Sequence, residues 1–176
     1  KASKTGKESL KKIFEELLQD TYNAEKQLIK ALPEAAKAAY NEHLQDAFEN
    51  HFEQTKRQVE RLEKIFDRLR IEKGNETCEA MEGLIKEVKE IIDRHDKSII
   101  RDVALIIAAQ KVEHYEIAAY GSLVELADVL GLNNTANLFE RTLNEEKETD
   151  YILSEIAQYV NDEAYEENPA ELEYQS

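Results

Sequence analysis

A long apolar helical segment with two carboxylates on its inner face constrains the fold of this chain more than any other stretch. Residues 102–130 are apolar over most of their length, in the spacing of a helix that faces a core. Glu113 and Glu116 lie on that face, where the pattern calls for Leu or Ala. Buried carboxylates are costly unless a cation pairs with them, and no Lys or Arg lies on the same face. The segment therefore predicts a metal ion held between this helix and others that supply further ligands.

Composition points to long helices and narrows the function classes. Only 5 Gly and 2 Pro interrupt a chain of 176 residues, of which 35% are charged, and this is typical of an all-α protein. The formal charge of −15 argues against nucleic acid and against anionic membrane surfaces as partners. Cys78 is the one cysteine, so an intrachain disulfide is impossible and a reducing, cytoplasmic location is expected. No apolar run reaches the ~18 residues that a membrane span requires.

Apolar seams at helical spacing predict four long helices and a shorter one in the connection between two hairpins. Pro33 falls inside the first seam, so it either kinks that helix or divides it. Residues 1–7 are expected to form a flexible lead-in and residues 161–176 an acidic, mobile tail, so the bundle comprises residues 8–160. The predicted helices after the first are residues 42–70, 79–95, 102–130 and 136–160.

Each long seam becomes polar near its middle. Because antiparallel helices rise ~1.5 Å per residue, their middles can meet at one level of a bundle. Several carboxylates at one level cannot all remain ionised without cations, and carboxylate sites with an imidazole suit iron or manganese. Asp20 is a weaker alternative on the first helix. The candidate ligands are Glu25, His51, Gln54, Gln58, Glu113, Glu116 and Glu146, with Glu145 and Asp150 nearby on the last seam.

Four segments of the chain carry a family likeness: DTYNAEKQL at 20–28, AMEGLIKE at 80–87, RDVALIIAAQKVEHYEIAAYG at 101–121 and TLNEEKETD at 142–150. They are similar to the YciF stress-protein family, a branch of the ferritin-like superfamily akin to rubrerythrins. The likeness extends from Glu8 to about Val160, and the third segment is highly specific. The resemblance implies a ferritin-like four-helix bundle with a short fifth helix in the crossover. It also implies a homodimer and a bacterial cytoplasmic protein linked to stress.

The same resemblance implies a set of ligands with gaps. Glu113 and Glu116 match the paired glutamates of rubrerythrin-like sites, and Glu146 matches the glutamate of the last helix. Thr149 stands where a His or Glu ligand often follows. The second helix departs most from the superfamily pattern Glu-x-x-His. It offers His51-x-x-Gln54 in one register and Thr55-x-x-Gln58 in the other.

These features predict a di-metal carboxylate protein, with iron or manganese and at most two ions per chain, that handles peroxide or dioxygen in a stress response. An external electron donor is expected, because one cysteine cannot build a four-cysteine electron-transfer module. The alternative is a dimeric structural or binding stress protein, without catalysis, whose metal site is degenerate. The altered ligands of the second helix favour that alternative.

Overall fold

The computed structural model describes residues 5–167 and contains five helices and no strand within that range. The all-α prediction is therefore confirmed. No helix in this part of the chain is long and apolar enough to cross a membrane. The helices are α1 (Gly6–Ala38), α2 (Glu42–Leu69), α3 (Glu79–Arg94), α4 (Ile99–Val129) and α5 (Asn133–Glu167).

The helix ends have local causes in the sequence. Thr5 begins α1 with a reciprocal cap, in which its side chain accepts from the backbone of Glu8 and the Glu8 carboxylate accepts from the backbone of Thr5. Asn41 and Ser98 cap α2 and α4 through their side-chain oxygens. Gly131 follows α4 with a φ of 76°, a left-handed conformation that glycine adopts without strain.

The structure decides between the two alternatives for Pro33 and corrects the predicted end of the bundle. Pro33 lies inside α1, so the proline does not divide the first helix. The last helix continues to Glu167, seven residues beyond the predicted end of the bundle at residue 160. Val160 and Ala164 are both buried one turn apart, so the inner face of α5 extends past that end. The remaining parts of the predicted lead-in and tail, residues 1–4 and 168–176, lie outside the described residues.

The bundle consists of two hairpins, α1 with α2 and α4 with α5, and α3 crosses between them against α1 and α4. Two apolar clusters fill its interior. One contains Leu28, Phe48 and Leu153, and the other contains Phe14 and Phe139.

A buried polar layer separates these clusters. On α2, α4 and α5 the polar members of this layer lie in sequence between members of the two clusters, and on α1 Glu25 lies at the boundary between them. The layer brings together the positions at which the four seams become polar. Its members are Glu25, His51, Thr55, Gln58, Arg61, Glu113, Glu116, Thr142, Glu146 and Thr149.

Candidate metal centre

Four side chains from three helices form a compact cluster in the polar layer. One ligand atom from each of His51, Glu113, Glu116 and Glu146 lies within 4.8 Å of the others, and all four residues are buried. Nε2 of His51 lies 3.3 Å from Oε1 of Glu113, 3.8 Å from Oε2 of Glu116 and 3.9 Å from Oε2 of Glu146. One imidazole nitrogen thus faces three carboxylates.

Helix periodicity explains this convergence. Glu113 and Glu116 are three residues apart and project from the same face of α4, the helix that is apolar on nearly all sides. His51 comes one turn after the core residue Phe48 on α2, and Glu146 comes two turns after the core residue Phe139 on α5. The apolar residues fix the rotation of each helix, and the same rotation directs these polar side chains inward.

Many polar atoms of the layer lack hydrogen-bond partners. Buried polar groups in proteins are nearly always satisfied, so a concentration of unsatisfied atoms at one place indicates a missing ligand. Carboxylate oxygens are acceptors only, and they cannot satisfy one another unless a proton or a cation lies between them. The atoms are Oε2 of Glu25, both ring nitrogens of His51, Oε1 of Gln58, Oε2 of Glu113, both carboxylate oxygens of Glu116 and Oε2 of Glu146.

Glu25 adjoins this cluster from α1. Its carboxylate accepts a hydrogen bond from the hydroxyl of Tyr120 and lies within hydrogen-bonding reach of Glu116. Burial, followed by the charge of Glu146, raises the pKa of Glu25 to about 8, and the bond from Tyr120 limits the rise. Asp20, the alternative on the same helix, instead accepts a 2.7 Å hydrogen bond from the hydroxyl of Tyr115. Glu25 is therefore the α1 carboxylate at the cluster.

The two paired glutamates of α4 have strongly perturbed acidities. Burial, followed by the charge of Glu146, raises the pKa of Glu113 well above its ordinary value. The same two causes, in the same order, raise the pKa of Glu116, and the charges of Glu25 and Glu113 add to the rise. The site therefore binds either protons or another cation when the protein is folded.

The two glutamines of α2 occupy different places. The Gln58 amide donates to Oε1 of Glu146 and, over 3.2 Å, to Oε2 of Glu145. Gln54 is only half-buried, and its side-chain oxygen lies 3.2 Å from the hydroxyl of Thr149. Gln58 therefore belongs to the buried layer, whereas Gln54 lies at its edge.

Arg61 is a member of the layer that sequence reasoning missed. Its guanidinium makes two hydrogen bonds to the Glu145 carboxylate, at 2.9 and 3.0 Å, and a third to the hydroxyl of Thr142. Burial would raise the pKa of Glu145, but these bonds and the charge of Arg61 outweigh it and lower the pKa. Arg61 follows Gln58 by three residues on α2, so its helical position was the only available signal.

The arrangement fits a metal ion of the iron or manganese type. Carboxylate oxygens with one imidazole nitrogen form the donor set that such ions accept in helix bundles. A bundle of two hairpins with a crossover helix and this buried layer defines the chain as a protein of the ferritin-like class.

Comparison with known proteins identifies the family within that class. The chain belongs to the family described as "Domain of unknown function (DUF892)", whose model matches residues 9–165. It is 48% identical over 152 residues to "Protein YciF" of Escherichia coli K12. The aligned residues cover 85% of this chain and 90% of that protein. The resemblance to the YciF proteins is thereby confirmed.

Solved structures agree with this assignment. The crystal structure of the E. coli stress protein YciF has a TM-score of 0.84 at 46% identity and covers 87% of this chain and 97% of that one. "YcfI, a putative structural protein from Rhodopseudomonas palustris" has a TM-score of 0.78 at 38% identity. The match covers 82% of this chain and 92% of that one. A Xanthomonas campestris protein has a TM-score of 0.72 at 20% identity, and the match covers 92% of this chain and 99% of that one. At this identity the likeness supports the fold alone.

Proposed function

We propose that the buried layer is a carboxylate metal centre for iron or manganese, and that the protein uses it in a bacterial stress response. The position of His51 carries the proposal. Its Nε2 atom lies 3.3 to 3.9 Å from oxygens of three buried carboxylates and hydrogen-bonds to none of them. A metal ion among these atoms would satisfy the imidazole and the carboxylates together.

Charge balance supports the same conclusion. Burying a carboxylate costs several kcal/mol unless it is compensated, and several lie at this level. Arg61 is a buried guanidinium of the same layer, but its hydrogen bonds go to Glu145 and Thr142. A divalent ion supplies the positive charge that the protein itself does not place among Glu113, Glu116 and Glu146.

The ligands divide into a strong and a weak group. His51, Glu113, Glu116 and Glu146 would hold one ion, since their ligand atoms already lie within 4.8 Å of one another. Glu25 and the unsatisfied oxygen of Gln58 would contribute to a second ion. Glu116 belongs to the first group and also lies within hydrogen-bonding reach of Glu25. We expect the first ion to bind more tightly than the second, because an amide oxygen is a weaker ligand than a carboxylate.

Bound iron would supply the one-electron chemistry needed to react with peroxide or dioxygen. The protein's part is to hold the carboxylates in place, through the hydroxyl of Tyr120 on Glu25 and the amide of Gln58 on Glu146. The apolar clusters adjoin the layer on two sides. An external electron donor, a homodimeric state and a cytoplasmic location are further parts of the proposal.

A structural or binding role without metal is the second candidate. Tyr120 and Gln58 already donate hydrogen bonds to two of the carboxylates, and the raised pKa of Glu25 allows it to be protonated. The R. palustris relative is itself described as a putative structural protein. This role requires that the protein bind no metal at equilibrium.

Metal content and titration separate the two candidates. We expect protein purified from iron-supplemented cells to contain iron, and the metal-free protein to bind Fe²⁺ or Mn²⁺ in calorimetry, with one ion preceding the second. Trace metal alone, together with a melting temperature unaffected by either ion, would contradict the metal proposal.

Two neighbouring glutamates provide a matched pair of variants. Glu146→Gln removes a carboxylate of the cluster, and we expect affinity for the first ion to fall by more than about 100-fold. Glu145→Gln removes the same charge one residue earlier, from the partner of Arg61. Its effect should not exceed about 10-fold, because Glu145 acts on the site only through Gln58. Equal losses in both variants would show that Glu146 is not a ligand.

A further inference from the structure

A cleft between α2 and α5 leads from the surface to the candidate metal centre. Its volume is about 720 Å³, and the two helices contribute all of its lining residues. His51 lines this cleft and is also a member of the four-residue cluster. Of those four residues, only His51 lines the cleft, so it is the member of the cluster that connects the cleft to the three carboxylates.

The unsatisfied ring nitrogens of His51 indicate that this side chain binds a ligand that arrives through the cleft. The residue is 3% exposed, and neither ring nitrogen has a hydrogen-bond partner. Beside it, the hydroxyl of Thr149 on α5 donates a 3.2 Å hydrogen bond to the side-chain oxygen of Gln54 on α2, and both residues line the cleft. The inner end of the cleft therefore presents oxygen atoms next to an unsatisfied imidazole.

A second cavity approaches the centre from the opposite face and has a different chemistry. It measures about 40 Å³, and Glu113 is its only ionisable lining residue. The remaining lining is aliphatic or aromatic and includes Leu28, Phe48 and Ile85. A hydrated ion cannot cross such a wall without losing its water, which costs many kcal/mol. The cleft between α2 and α5 is the polar approach.

Charge at the cleft favours cations. Asp46, Glu53, Glu148 and Glu155 line it, with Arg57 as the one lysine or arginine among its lining residues. Within residues 5–167, Asp46, Glu148 and Glu155 form no ion pair, whereas Glu53 pairs with Lys56. A cleft lined by one sign of charge concentrates ions of the opposite sign and raises their rate of association.

We propose that this cleft is the route by which a hydrated divalent cation enters the centre, that its acidic rim attracts the ion, and that the Gln54 oxygen is the first side-chain ligand it meets. The inference rests on the proposed function, since it requires the centre to bind metal. It also gives Gln54 a transit role, because that residue is only half-buried and lines the cleft beside His51.

Loading kinetics test the route separately from the site. Co²⁺ is mixed with the metal-free protein in a stopped-flow instrument and followed by its visible absorption, while calorimetry measures the equilibrium affinity. In the triple variant Asp46→Asn, Glu148→Gln, Glu155→Gln, we expect loading to slow about 10-fold at low salt, with equilibrium affinity unchanged. At 1 M salt, where the Debye length is ~3 Å, the difference should disappear.

A second triple variant controls for the overall negative charge of the protein. Glu76→Gln, Glu79→Gln and Glu82→Gln remove the same number of exposed charges at and before α3, a helix that packs on α1 and α4. This variant should load at the wild-type rate. Equal slowing in both triple variants, or none in the rim variant, would overturn the inference.

Gln54→Leu tests the inner end of the route. We expect slower loading with unchanged affinity, because the side chain assists passage without holding the bound ion. A loss of equilibrium affinity would make Gln54 a resident ligand and would overturn its transit role. If the wild-type protein binds no Co²⁺, Fe²⁺ or Mn²⁺ at equilibrium, the proposed function itself fails; if binding is normal and only the rates disagree, the entry route alone fails.

Discussion

Replacing Glu25 by glutamine should stabilise the metal-free protein. The pKa of Glu25 is raised from 4.5 to about 8 by burial and then by the charge of Glu146. The folded state therefore holds a proton that the unfolded state releases between these two pH values, and stability falls as the pH rises through that window. At pH 7, two and a half units at 1.36 kcal/mol each give a cost of about 3 kcal/mol. Gln keeps the volume and an oxygen that can accept the bond from Tyr120.

The assay is urea unfolding of chelator-treated protein between pH 5 and pH 8. The advantage of Glu25→Gln should be small at pH 5 and reach about 3 kcal/mol at pH 7, or about 6–12 °C in melting temperature for a domain of this size. Glu34→Gln, at an exposed position on the same helix, should follow the wild-type protein at every pH. An advantage that does not change with pH, or a destabilised variant, would refute the reasoning. Saturating metal should reverse the order, because the wild-type protein then gains a ligand that the variant lacks.

Two further substitutions test the surroundings of the site by urea unfolding. Arg61→Met should cost about 2 kcal/mol at pH 7, because the carboxylate of Glu145 loses two charge-assisted hydrogen bonds and keeps those from Gln58 and Arg141, whereas Arg57→Met at an exposed position should change little. The cost should shrink as the pH falls below about 4.5, since Arg61 lowers the pKa of Glu145 and its contribution is lost on protonation. Asp102→Ala should cost about 2–3 kcal/mol, because two backbone amides, at 2.8 and 2.6 Å, lose a buried acceptor. Asp102→Asn retains one acceptor oxygen and should lose less.

Helical periodicity was sufficient to predict the five helices but not all of their ends. The predicted third long helix began at Asp102, where the apolar segment starts. In the structure α4 begins at Ile99, and both charged residues are buried. Arg101 donates to the carbonyls of His95 and Ala38, and Asp102 accepts from the turn between α1 and α2. Ala38 and the turn between α1 and α2 are distant in sequence, so local pattern could not show that Arg101 and Asp102 are buried, although the Ser98 cap marks the helix start locally.

The candidate site shows the same division between local and tertiary information. Acidic residues at seam positions were predictable, because a carboxylate in an apolar stripe stands out in the sequence. The roles of Gln54 and Gln58 were not, since both lie on the same general face of α2 as His51. Small differences in angle place Gln58 against Glu146 and Gln54 at the cleft. The pairing of Arg61 with Glu145 likewise depends on the packing of α2 against α5.

The two hairpins contribute different numbers of carboxylates to the centre. Thr55 follows Phe48 by seven residues on α2, as Glu146 follows Phe139 on α5, so the two positions correspond. The hydroxyl of Thr55 donates to the carbonyl of His51, one turn earlier in its own helix, and therefore offers the centre no charge. The first hairpin contributes one carboxylate and an imidazole, whereas α4 and α5 contribute three carboxylates. Negative charge is thus concentrated on the side of the second hairpin, around His51, and this asymmetry is the physical reason to expect one strongly bound ion before a weaker second.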